Sequence, residues 1–225
     1  MISAILLFAL LGLLAYWLLV VTEGVYLGRR VVVWLYDLTA TRYDAIKQFD
    51  ADAERFFVIR PLLYNLAAEP APLILDVATG TGRLPYFLLE EPTFNGRVIG
   101  LDASSEMLEQ AAPKLAPYPS RAALVQQTAA DLPFADCAFH AVTCLESLEF
   151  FPDASAALLE MARVLQPQGV LWVTRRRGWE AKTFVGRYLD EEQFAQQLTT
   201  LGFSDIVISP WQVEYDLVMA HKTAS

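Results

Sequence analysis

The first hydrophobic pattern along the chain is unbroken. Residues 2–21, ISAILLFALLGLLAYWLLVV, carry no charged side chain. Twenty helical residues at ~1.5 Å each reach about 30 Å, the thickness of a bilayer's hydrocarbon core. The run therefore reads as a membrane-spanning helix, residues 1–22, with Tyr16 and Trp17 near one end where interfacial aromatics are favoured. A cleaved signal peptide and a buried core helix are the rival readings. Against the first, no Lys or Arg precedes the run and no clear small-x-small cleavage site follows it. Against the second, core helices rarely lack polar residues all round. Arg29, Arg30, Arg42 and Lys47 follow the span, which predicts an outside N-terminus and a cytoplasmic remainder, residues 22–225.

The next stretch, 23–72, has helical rather than alternating periodicity and reads as a helical cap and linker. VVVWLYDLTATRYDAIKQF (31–49) repeats apolar residues at Val32, Leu35, Tyr36, Tyr43 and Ile46. A second helix is predicted over 52–66, bent or restarted at Pro61. AAEPAP (67–72) then reads as a linker. From residue 73 to 225 the pattern alternates. Strands are predicted at 73–77, 97–101, 122–126, 138–145, 170–174, 204–209 and 213–220, and helices at 83–91, 104–112, 153–165 and 190–201. Alternation of this kind makes βαβ units and a parallel sheet buried on both faces. Only PWQ separates the last two strands, too short for a crossover, so they should pair as an antiparallel hairpin. The expected fold is α/β: a doubly wound, Rossmann-like, seven-stranded sheet, mostly parallel with an antiparallel C-terminal hairpin, preceded by a transmembrane helix.

Charge changes the picture by exclusion. The chain has a net charge of −9, which argues against a phosphate-neutralising nucleic-acid surface. Cys137, Cys144, His140 and His221 are too few and wrongly spaced for a zinc site. His140, near the start of its strand, reads as structural.

Chemistry concentrates in LILDVATGTGR (73–83). In a doubly wound sheet, ligands bind beyond the carboxyl ends of the strands, and Gly80 and Gly82 allow close approach to backbone there. A pyrophosphate site wants G-x-G-x-x-G; this turn is A-T-G-T-G behind an acid, Asp76. A second acid, Asp102, ends the second strand about twenty residues on, placed for ribose hydroxyls. Together these describe a cationic, phosphate-free nucleoside, which S-adenosylmethionine is. A glycine turn without a ligand is the plainer reading.

LILDVATGTGR, VIGLDASSEML, DLPFADCAFHAV and MARVLQPQGVLWVT, in this order across 73–174, resemble successive motifs of class I S-adenosylmethionine-dependent methyltransferases, nearest to the ubiquinone/menaquinone branch. The resemblance implies S-adenosyl-L-methionine as cofactor. It puts Asp76, Ala78, Thr79, Gly80 and Gly82 around the methionine part, Asp102 at the ribose and Met107 or Ala103 at the adenine. Thr128, Ala129 and Cys144 complete the expected contacts, and Tyr43, with Asp44, resembles a pair that closes over the cofactor. Three positions depart from the family pattern: Ala78 for a glycine, Thr128 where an acid often meets the adenine amino group, with Asp131 nearby but shifted, and Gln168 for a glycine in a turn.

Glu146, after the fourth strand, is the candidate general base, with a solvated loop acid as the alternative; Glu149 lies in the same loop. Arg175, Arg176 and Arg177 read either as a site for anionic headgroups or substrate, or as exposed arginines with no special role. An anchored enzyme suits a lipid-soluble or other small-molecule acceptor, with the bilayer as partner and residues 56–66 as a lid. A non-catalytic cofactor-binding or scaffold module, and a nicotinamide-dependent oxidoreductase, are the alternatives.

Overall fold

The computed structural model describes residues 2–224. Helix α1 (Ile2–Tyr16) runs on through a π turn (Trp17–Val21), and no residue of either is buried. The combined helix is long and apolar enough to cross a membrane. After a short 3-10 turn (Val25–Leu27) come α2 (Arg29–Thr39) and α3 (Tyr43–Lys47). The next run joins α4 (Ala51–Glu54), a π turn (Arg55–Ile59) and α5 (Arg60–Asn65) without interruption. Pro61 therefore does not restart the helix. Its ring would press on the carbonyl of the preceding turn, and widening that turn relieves the clash.

The alternating region then gives β1 (Leu73–Val77), α6 (Arg83–Glu90), β2 (Arg97–Asp102), α7 (Ser105–Leu115), β3 (Ala122–Gln126) and β4 (Phe139–Cys144). It continues with α8 (Ala154–Val164), β5 (Leu165–Arg176), α9 (Gly178–Ala181), α10 (Glu191–Thr200), β6 (Phe203–Pro210) and β7 (Tyr215–Lys222). The seven strands form one sheet in the order β3-β2-β1-β4-β5-β7-β6. The first five are parallel, while β7 runs antiparallel to both β5 and β6. The predicted α/β architecture and its closing hairpin are what the chain adopts. Helix α7 outlasts its predicted end at 112, passing Pro113 to bury Leu115.

Each face of the sheet carries its own core. Val58, Ile59 and Leu62 of the 51–65 run, with Leu84 and Leu88 of α6, cover one face against Ile74, Val98 and Trp172. On the other, Leu158 and Met161 of α8 and Phe194 and Leu198 of α10 pack on Leu75, Val142 and Val173. This placement corrects the idea that 56–66 is a lid: its apolar side is spent on the sheet, and of its large apolar side chains only Phe56, Phe57 and Tyr64 remain exposed. A third, smaller cluster of Val25, Val32, Phe150 and Phe184 fastens the segment after α1. The strand order reverses on either side of β1, which puts the topological switch point between β1 and β4.

Candidate active site

The turn after β1 is held in an unusual shape. Ala78, Gly80 and Gly82 all have positive φ, at 55°, 55° and 77°. For Ala78 the left-handed conformation costs roughly 1–2 kcal/mol, which the surrounding contacts must offset. Those contacts centre on Asp76, whose carboxylate accepts from Thr79 Oγ1 at 2.6 Å and Thr143 Oγ1 at 2.6 Å. Thr79 in turn crosses β2 at Gly100, where a Cβ would stand 2.9 Å from Thr79 Oγ1. Beyond the strand ends lies a cavity of about 560 Å³, within the usual range for small-molecule sites. Ala78, Gly80, Asp102 and Ala103 form one wall; Val32, Val33 and Tyr36 of α2, with Phe150 and Phe151, form the apolar side.

Asp102 is the polar focus of that wall. Its Oδ2 accepts from the Gly80 backbone N–H at 2.8 Å and its Oδ1 from that of Ser104 at 2.9 Å. A carboxylate offers about four acceptor sites, so two remain for a vicinal diol. The residues present therefore fit an adenosine ligand. Burial pushes the Asp102 carboxyl up, against the pull of those backbone N–H groups.

The segment 36–54 is stitched across the turns. Asp37 accepts from Ser104 Oγ at 2.5 Å, and Asp44 accepts from Thr81 Oγ1 at 2.5 Å and pairs with Lys114. Arg83, at the start of α6, reaches Glu54 at 3.3 Å and Glu146 at 2.9 Å, with Lys47 on the other Glu146 oxygen at 2.9 Å. Phe49 packs on the Arg83 guanidinium, 4.2 Å from it to the ring centroid. Burial alone would raise the Glu146 carboxyl, but Arg83 and Lys47 more than offset it and hold it below the usual range. Burial raises the Tyr43 phenol to about 12.

Residues 74–169 match the protein family described as a methyltransferase domain. The match begins at β1, passes through both acidic turns and ends in β5, so it covers the Ala78–Gly80 and Asp102–Ala103 wall of the cavity but not α2. Over these residues the chain is similar to a methyltransferase domain, a match that takes in less than half of its length. The chain is 33% identical over 141 residues to the ubiquinone/menaquinone biosynthesis C-methyltransferase UbiE of Geotalea daltonii, an alignment covering 60% of this chain and 58% of the relative. It is 38% identical over 163 residues to the chloroplastic 2-phytyl-1,4-beta-naphthoquinone methyltransferase of Arabidopsis thaliana, covering 69% and 56%. The chain thus spans a little over half the length of these relatives. Among solved structures, the [4+2]-cyclase SpnF superposes with a TM-score of 0.69 at 19% identity, covering 86% of this chain and 96% of that one, a likeness of fold.

Within the matched segment and the helices before it, Tyr43, Ala78, Gly80, Asp102, Ala103, Thr128, Ala129 and Glu146 all line the cavity. Asp76, Thr79, Gly82, Met107 and Cys144 are not part of its lining. Asp76 and Thr79 brace the turn from within, and Met107 is in the core, 1% exposed. Ala103, not Met107, is therefore the one that reaches the wall. Cys144 is fully buried with its Sγ 3.0 Å from Ser147 Oγ, and burial pushes its thiol up. Glu146 is 8% exposed, which removes the solvated-loop alternative. Asp131 is exposed and off the wall. His140 sits at the far edge, where Nδ1 accepts from the Leu73 backbone N–H at 3.0 Å, a structural role as read.

The arginine triplet is corrected. Arg175 is buried against Asp216, Arg177 pairs with Asp216 at 3.1 Å, and Arg176 is bound by Glu149, Glu180 and Glu214. Strand β7 runs opposite β5, which brings Asp216, and Glu214 just before it, to the arginines. Glu149 is spent on that network. What the sequence did not reveal is α2: the apolar period at Val32 and Tyr36 announced a buried face without saying that it faces the cavity.

Asp76 gives a pH signature. Burial raises its carboxyl from 3.8 to about 6. Between those values the folded chain binds more protons than the unfolded one, so this group adds stability as pH falls through that window. Asp76→Asn is expected to be more stable than the native chain at pH 7, with the advantage fading as pH falls from about 6 to 3.8. Denaturant melts of both proteins across that range check it, and a pH-independent difference would contradict it.

Proposed function

We propose that this protein is an S-adenosylmethionine-dependent methyltransferase, held on the membrane by α1 with residues 22–225 in the cytoplasm, that methylates a lipid-soluble, quinone-type acceptor. The observation that carries the reading is the cavity's two-sided wall. One side is the Gly80–Asp102 turn suited to adenosine; the other is α2, which follows the apolar helix after a few residues. The names of the relatives, one a C-methyltransferase of ubiquinone/menaquinone biosynthesis and the other a 2-phytyl-1,4-beta-naphthoquinone methyltransferase, support the acceptor class.

S-adenosylmethionine supplies a methyl group on a sulfonium, open to in-line displacement. In this reading the chain's own residues bind, align and exclude water, and need no covalent nucleophile. Asp102 accepts from the ribose hydroxyls and Tyr43 closes the cap over the turn. Thr128 and Ala129 border the adenine. Val32, Val33, Phe150 and Phe151 offer a flat ring an apolar, water-poor slot. Glu146, held ionised between Arg83 and Lys47, serves to hold the cap across the mouth. A proton moving to Glu146 would have to displace two cations, so we assign it positioning.

The test is incubation of the full chain with methyl-labelled cofactor and a membrane lipid extract, followed by mass identification of the product. Label on a quinol is expected. Label confined to water-soluble compounds, with no dependence on membranes, would overturn the acceptor class. Cofactor binding without turnover on any lipid pool would instead favour the non-catalytic module.

A further inference from the structure

The end of the apolar helix is not joined to the rest of the chain by a slack linker. Trp17 Nε1 donates to the Thr183 carbonyl at 3.1 Å, and Tyr26 OH donates to the Val185 carbonyl at 2.8 Å. The two rings stack on each other, centroids 5.0 Å apart at 24°, and the Arg187 guanidinium covers Tyr26. Between them Thr22 is fully buried, its hydroxyl donating back to the carbonyls of Trp17 and Leu18. Val25 then enters the cluster with Val32, Phe150 and Phe184. The helix end and segment 178–187 are therefore latched from both sides of the turn.

That latch fixes what lies at the level of the helix end. Trp179 is 75% exposed and Val185 67%, although both belong to a segment that touches the last turn of the apolar helix. Leu27, at the start of the cavity-lining stretch, is also exposed. Arg29, Arg30 and Lys182 form no ion pair among the described residues. Exposed apolar side chains and free cations around the foot of a bilayer-length helix complement an anionic headgroup layer: the apolar groups enter the acyl boundary and the cations meet phosphates. In water the same surface would hold bulky apolar side chains exposed with no compensation.

Resting on the anchor reading above, we propose that segment 178–187, with Leu27, Arg29 and Arg30, is a fixed docking surface for the anionic headgroup layer of the bilayer. The latch between Trp17, Tyr26 and this segment sets its depth. Because α2 starts at Arg29 and lines the cavity through Tyr36, docking holds the cavity wall against the membrane surface rather than letting the domain swing free.

The full chain tests this without any methyl transfer. On a Cys137→Ser background, which removes the exposed cysteine, Val185→Cys carries a fluorophore. Ser120→Cys, an exposed position at the opposite edge of the sheet, carries the same fluorophore as control. Both proteins are reconstituted into vesicles containing anionic phospholipid, with and without brominated acyl chains. Roughly twofold quenching at 185 and none at 120 is expected for side chains seated at the acyl boundary. Trp17→Phe combined with Tyr26→Phe, which deletes both latch hydrogen bonds, is expected to reduce the quenching at 185. Equal quenching at 185 and 120 overturns the proposal, and unchanged quenching in the latch variant overturns the fixed mount. A chain that fails to co-float with vesicles overturns the anchor reading and the docking surface together. Co-flotation without quenching at 185 overturns the docking surface alone.

Discussion

Replacing Arg83 with methionine is expected to lower the unfolding free energy by about 3–5 kcal/mol, the usual cost of stripping one partner from a buried ion pair. Arg83 is the shared partner of Glu54 and Glu146, at 3.3 and 2.9 Å, and the three side chains are 5–11% exposed. Methionine matches the volume but leaves two carboxylates buried, with only Lys47 and Gln212 still on Glu146. Glu54 is left worst, because one of its oxygens already has no partner. The cluster spans the cap, the start of α6 and the end of β4, so its loss should also loosen the cap over the cofactor turn. Urea unfolding measures the first effect. A cost below about 1 kcal/mol, the level of an exposed salt bridge, would show that the cluster does not hold these elements together.

Asp102→Ala is expected to weaken S-adenosylmethionine binding by about 100-fold or more. Two hydrogen bonds to a charged acceptor contribute about 1.5–3 kcal/mol each, and every 1.4 kcal/mol is tenfold in affinity. Asp102→Asn keeps one acceptor and should lose about tenfold, one bond's worth. Calorimetry reads both, with thermal melts alongside. The melts matter because Asp102 also accepts from the Gly80 and Ser104 backbones, so alanine should cost some stability as well. Unchanged affinity in a folded Asp102→Ala protein would remove the ribose assignment.

The architecture was legible because the signals for it are local. The run from Leu73 to Arg83 contains its strand, its acid, its small turn and its helix start in one stretch, and Asp102 ends the next strand in the same way. Residues whose role depends on distant partners were not legible. Arg83 gives no hint in sequence that it will meet Glu54 and Glu146. Arg175, Arg176 and Arg177 look like an exposed triplet until β7 brings Asp216 and Glu214 alongside them. Met107 and Cys144 are buried off the cavity lining, since a motif fixes position along the chain and not depth. The wall supplied by α2 is the clearest case. Its apolar face was readable from Val32 and Tyr36, but its destination is set by tertiary packing against Phe150.

The measurement closest to the central claim is a structure of the full chain with S-adenosylhomocysteine. The account predicts the ribose hydroxyls on the Asp102 carboxylate, the adenine between Ala103 and Thr128–Ala129, and the amino acid end over Ala78–Gly80. It also predicts apolar space left open toward Val33 and Phe151. A ligand bound elsewhere, or a ribose that leaves Asp102 uncontacted in an otherwise ordered site, would contradict it.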